Sequence, residues 1–186
     1  EVVAPAQIGV IMRGYHIPEA AHPDIHALRV LALILSGGES SRLYEQIVRK
    51  QKLAVQVGGQ LVIREDPGLM MIFGAYIDAT KGDSLEAALT SEVTKLRKGF
   101  VSKAEIGKAK KQLQAQLVYG MENVTGIANQ IGYSWIQRGD AGLFLEDLTA
   151  LEAVTAADIK RVANLYLGDS QSSVVVIPLV NAKGAK

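Results

Sequence analysis

The chain has 186 residues, 48% of them hydrophobic and 21% charged, enough apolar side chain for one ordinary domain with a packed core. With 20 Lys and Arg against 19 Asp and Glu the net charge is +1, far from the basic excess of a nucleic-acid binder. The lack of cysteine excludes disulfides, thiolate zinc sites and cysteine nucleophiles, and no apolar run reaches membrane-spanning length.

The opening "EVVAPAQIGVIMRGY" already reads like strand and carries no signal-peptide pattern. So abrupt a start is expected of a domain that continues a longer polypeptide. Residues 8–17, β-branched and apolar up to Pro18, form the first expected strand. Pro23 and Asp24 suit the first turn of a helix, with Asp24 expected to cap free amides. From 25 to 35 only His26 and Arg29 interrupt the apolar run, which predicts a helix buried on most sides. "SGG" (36–38) stops it, and Ser40 or Ser41 is then expected to cap a short helix running to about Lys50.

Residues 53–63 and 69–77 read as strands joined by the turn "REDPG" (64–68). Asp83 with Glu86 resembles a capping box, and Leu85, Leu89, Val93 and Leu96 recur at helical spacing up to Gly99. Ser102 with Glu105 repeats the device before Ile106, Ala109, Leu113 and Leu117. Helical pattern continues over 123–137, 143–151 and 155–167, Gly168 ends it, and "SSVVVIPLV" (172–180) reads as a closing strand. A central hairpin with helices collected after it predicts an α+β fold, a mainly antiparallel sheet backed by several helices, with residues 1–186 forming a single domain.

Chemistry-bearing motifs are scarce. "HPDIH" (22–26) spaces two histidines as a zinc protease does, but a proton-accepting Glu is needed before the second histidine and Ile25 stands there. Pro23 further places His22 outside the helix, and His16 belongs to a strand, so the three histidines are read as ordinary partly exposed side chains and no metal ligand is assigned. There is no G-x-S-x-G elbow, and "GDS" at 82–84 and 168–170 sits at helix ends. "SGGESS" (36–41) lacks the Gly-Lys-Ser/Thr finish of a phosphate loop. "RKQK" (49–52) and "KAKK" (108–111) read as solvated helix faces, and Tyr133 with Trp135 as packing. No catalytic residue is assigned.

One stretch is more specific. "HPDIHALRVLALILSGGESSRLYEQIVRKQKLAVQVGG" (22–59), followed in order by "GLMMIFGAYIDA" (68–79) and "VSKAEIGKAKKQLQAQL" (101–117), resembles the C-terminal half of pitrilysin/insulinase-type zinc metallopeptidases, the class of mitochondrial processing peptidase. The resemblance covers nearly the whole chain. It implies an inverzincin built from paired halves, with zinc and its H-x-x-E-H in an N-terminal half not represented here. This chain would then be the non-catalytic C-terminal domain of a zinc metalloendopeptidase. It would close the substrate chamber and contact peptide substrate, its own N-terminal catalytic domain or a related partner subunit. The alternative is a catalytically inactive structural or assembly subunit of the same family. The resemblance also favours a periplasmic or otherwise extracytoplasmic bacterial location, with no membrane span and no nucleic-acid partner.

In such enzymes the second half donates hydrogen bonds to the substrate carbonyl from an Arg and from a Tyr seven residues later. Arg49 occupies the Arg position and is the candidate substrate-binding residue. "RKQKLAV" is one residue shorter than that pattern, so the Tyr position falls on Val55, which has no side-chain donor. The departure resembles the two-subunit bacterial type, in which a partner chain supplies the pair.

Overall fold

The computed structural model describes residues 2–4, 8–99, 101–168 and 171–178. Residues 179–180 of the expected closing strand, 169–170 of the second "GDS", and residues 1 and 5–7 of the opening stretch lie outside them.

Strand β2 (Gly9–Ile17) is the centre of a five-stranded sheet. It pairs antiparallel with β4 (Gly68–Tyr76), from Gly9 opposite Tyr76 to Ile17 opposite Gly68, and on its other side with β5 (Gln171–Pro178). At one edge β3 (Gln56–Val62) runs antiparallel to β4, and at the other β1 (Val2–Ala4) runs parallel to β5. The expected α+β class is therefore found, four antiparallel strands with one parallel edge strand.

Among the described residues six α-helices follow from the local signals: α1 (Asp24–Ser36), α2 (Gly82–Arg97), α3 (Lys103–Gly120), α4 (Val124–Arg138), α5 (Asp147–Ala153) and α6 (Ala156–Tyr166). The apolar run of α1 leaves Leu28, Leu31 and Leu35 with no exposure, packed with Met70, Ile72, Leu85 and Val162 in one continuous core. Full burial of each such side chain contributes roughly 2 kcal/mol. Burial alternates along β2: Ile11, Tyr15 and Ile17 are buried, whereas Met12 and His16 are exposed. Side chains alternate across a strand, so the helices cover one face of the sheet and leave the other open.

One expected cap forms, at Ser102, and two further caps, at Asn123 and Thr155, join partners three residues apart that the sequence reading did not name. Ser102 and Glu105 form a reciprocal capping box on α3, Asn123 Oδ1 accepts from the Gly126 amide at 2.9 Å on α4, and Thr155 with Asp158 caps α6. Two expected caps are corrected. Asp24 does not cap α1, because its carboxylate is drawn to Arg161. Its amide donates instead to His22 Nδ1 at 3.1 Å. Asp83 and Glu86 form no box either. A 3₁₀ turn (Ala79–Lys81), capped by Asp78 through the Thr80 amide at 3.0 Å, leads directly into α2, and Glu86 accepts a hydrogen bond from Arg13.

The expected α-helix ending at Lys50 is a third correction. After one short turn the chain forms a π-helix over Tyr44–Lys50, no Ser side chain caps it, and the Gln51 amide reaches back five residues to Gln46 O at 3.1 Å. Leu43 and Ile47 are both fully buried. Lys52 then takes φ +52°, a left-handed conformation that costs a non-glycine residue about 1 kcal/mol or more. The tight exit delays β3, which begins at Gln56, three residues later than the pattern indicated.

Candidate functional site

The three histidines do not converge. His16 lies on the open face of the sheet, and His22 is engaged with the start of α1. His26 lies in the first turn of α1, with Nε2 3.8 Å from Asp147 Oδ1. Among the described residues no group of three or more His, Cys, Asp or Glu side chains is placed to hold a metal ion.

Arg49 lies in the last turn of the π-helix with its side chain 57% exposed. Nη1 donates to Glu45 Oε1 at 2.8 Å, Nη2 lies 3.8 Å from Glu39, and the guanidinium sits 5.8 Å from the centroid of the Tyr44 ring. Two carboxylates and an aromatic face thus hold it against its own helix, an arrangement worth little energy in water. Val55 is exposed, and its amide donates to Ala75 O at 2.8 Å. The segment therefore presents one engaged guanidinium and, at position 55, no side-chain donor.

A charged cluster that sequence reasoning missed lies beneath α1. Asp147, 4% exposed, accepts from Arg138 Nη1 at 2.7 Å and lies 3.7 Å from Arg29 Nη1. Burial pulls the Arg29 pKa below its ordinary value, with Asp147 opposing that pull, and burial likewise lowers the pKa of His26. Arg138, Arg29 and His26 stand 9, 118 and 121 residues from Asp147, so no local motif announces the cluster.

The expectation that Tyr133 and Trp135 pack into the fold is corrected. They are 64% and 62% exposed, beside exposed Val124, Ile131 and Ile136, and the buried residue of α4 is Ser134. Ser134 Oγ donates to Asp140 O at 2.6 Å and accepts from Arg138 Nη2 at 3.1 Å, which turns the aromatic side of α4 outward. A second apolar surface is the open sheet face. Register places Met12 opposite Phe73 and Val174, and His16 opposite Leu69. Met12, Leu69 and Val174 are exposed. A Cβ on Gly58 would meet the Phe73 ring at 2.6 Å, so the ring occupies the space above that glycine.

An α+β sheet domain with apolar surfaces and no assembled metal site among its described residues defines the class. The sequence matches the peptidase M16 inactive domain over residues 3–113, and the chain belongs to that family of zinc metallopeptidase domains. Zinc protease PqqE of Helicobacter pylori is 28% identical over 164 residues, which are 88% of this chain and 37% of that protein. This chain thus spans a little over a third of the length of that curated relative. The crystal structure of an inactive peptidase domain from Bordetella parapertussis is 26% identical, superposes with a TM-score of 0.82, and covers 92% of this chain and 93% of its own. The periplasmic protease PqqL from Escherichia coli shares the fold, with a TM-score of 0.78 at 18% identity, over 95% of this chain and 20% of that one. No helix among the described residues is long and apolar enough to cross a membrane.

Proposed function

We propose that this chain is the non-catalytic C-terminal domain of a larger zinc metalloendopeptidase, folded as one domain over 1–186, and that its open sheet face lines the peptide chamber. The observation that carries the reading is that face itself, with Met12, Leu69 and Val174 exposed in a domain of the inactive family. A sheet covered on one side only leaves alternate side chains in water, and an apolar set there suits contact with peptide or with a neighbouring domain. Zinc and the general base belong to the N-terminal domain in this reading, because ligands and base must meet within a few ångströms.

The engagement of Arg49 with Glu45 and Glu39, and the valine at 55, favour a related partner subunit as the source of the carbonyl donors. The fold shared with one periplasmic protease, PqqL, supports an extracytoplasmic location. The test uses the full-length protein. Met12→Glu and Val174→Glu place charge on the open face at exposed strand positions. KM for peptides should rise roughly fivefold or more, equivalent to about 1 kcal/mol of binding, with kcat and zinc content held. An unchanged KM in both variants would remove the open face from the chamber.

A further inference from the structure

Between β3, α3, α4 and α5 lies a cleft of about 350 Å³, at the lower end of the range that holds small ligands. Leu61, Leu113 and Leu117 give it apolar walls, while Gln116, Gln130 and Arg29 bring polar groups to it. Asp147 is the one carboxylate among the described residues that line it, and that carboxylate is shared. Arg138 takes Oδ1 at 2.7 Å, whereas Arg29 stands 3.7 Å from Oδ2, beyond direct hydrogen bonding.

Two guanidinium groups face one buried carboxylate, which leaves the cluster a surplus of one positive charge, and the Arg29 side chain, 30% exposed, carries that charge within reach of a ligand in the cleft. His26, also packed against Asp147, is held toward its neutral form by burial and so adds no further positive charge. We infer that the cleft binds an apolar monocarboxylate, with its anion on Arg29, the two glutamine amides beside it, and its hydrocarbon against the leucines. A single negative charge completes the balance, whereas a phosphate dianion would overshoot it in an apolar setting. The same chemistry is offered by the C-terminal carboxylate of a short apolar peptide and by a free aliphatic acid. This inference does not depend on the open sheet face, and either can fail without the other.

The experiment is calorimetric titration of the chain with acetyl-leucyl-leucine, the C-terminal amide of the same peptide, and hexanoate. The acid should bind saturably and the amide at least tenfold more weakly. Arg29→Met, which keeps an apolar stem, should reduce the acid to the level of the amide, and Leu117→Trp, which fills the cleft, should abolish both. Circular dichroism identifies any variant that fails to fold, and the acid-against-amide comparison in the unaltered chain stands without variants. Hexanoate binding as tightly as the peptide acid supports free aliphatic acids as the source, and binding of the peptide acid alone supports peptide termini. Equal binding of acid and amide, full retention of binding in Arg29→Met, or no saturable binding of either acid would overturn the inference.

Discussion

Arg161 grips Asp24 with both terminal guanidinium nitrogens, at 3.0 and 2.5 Å, and so fastens α6 to the first turn of α1 across 137 residues of chain. The Tyr166 hydroxyl adds a third bond to Asp24 at 2.8 Å. Arg161 holds the Asp24 carboxyl below the usual range, with burial opposing it, while burial and the same carboxylate push the Tyr166 hydroxyl up to about 12.

Asp24→Ala should therefore destabilise the domain by about 2 kcal/mol, the scale of a charge-assisted, partly buried hydrogen-bonded pair. In a domain of this length that corresponds to a fall in Tm of roughly 4–8 °C. Thermal unfolding followed by circular dichroism measures it, and an unchanged midpoint would mean that the clasp contributes nothing to stability.

Glu105 gives a different signature. Burial raises its pKa, but hydrogen bonds from Arg42 and from Ser102 outweigh burial and bring it to about 2, against an ordinary 4.5. Above 4.5 the carboxylate is ionised in both states and its stabilisation is fully present. As pH falls toward 2 the unfolded chain takes up the proton first, so that stabilisation is lost progressively. Urea midpoints measured from pH 5 down to 2 should fall in the unaltered chain and fall less steeply in Glu105→Gln.

His26 acts with the opposite charge and the same direction in pH. Its pKa is lowered mainly by burial, with Asp147 opposing, so the folded state resists the proton that the unfolded chain accepts near 6.5. Stability should decline as pH drops below about 6.5 through the folded value. His26→Gln should flatten that slope between neutral and mildly acidic pH, and an identical slope in the variant would show that other groups produce it.

Trp135, the sole tryptophan, reports on α4. At 62% exposure its fluorescence should be red-shifted in the native chain, quenched freely by iodide, and little shifted on unfolding. Blue-shifted, protected emission would place the ring in a packed environment and contradict the outward orientation of α4.

These cases also show how far the chain could be read from its residues. The apolar run of α1, the capping box at Ser102, and the strands β2 and β4 rest on contacts within a few positions, and those elements formed as expected. Asp24 and Glu86 looked like local caps because local partners are all that a sequence displays. Their carboxylates were taken by Arg161 and Arg13, 137 and 73 residues away. The outward turn of Trp135 follows from Ser134 bonding to Asp140 and Arg138, a small polar contact that hydrophobic periodicity does not register. Likewise, nothing in the apolar spacing of Leu43 and Ile47 separates a π-helix from an α-helix.

The central claim is that this domain encloses peptide without positioning the scissile carbonyl, and peptide turnover by the full-length enzyme carrying Arg49→Ala tests it most directly. The guanidinium is engaged by Glu45 and Glu39, and Val55 supplies no second donor, so kcat should change less than about twofold, within the energy of an exposed ion pair. Loss of a true carbonyl-binding donor costs about a hundredfold or more. A drop of that size, with peptide still bound and zinc still in place, would make Arg49 part of the active site and contradict the account.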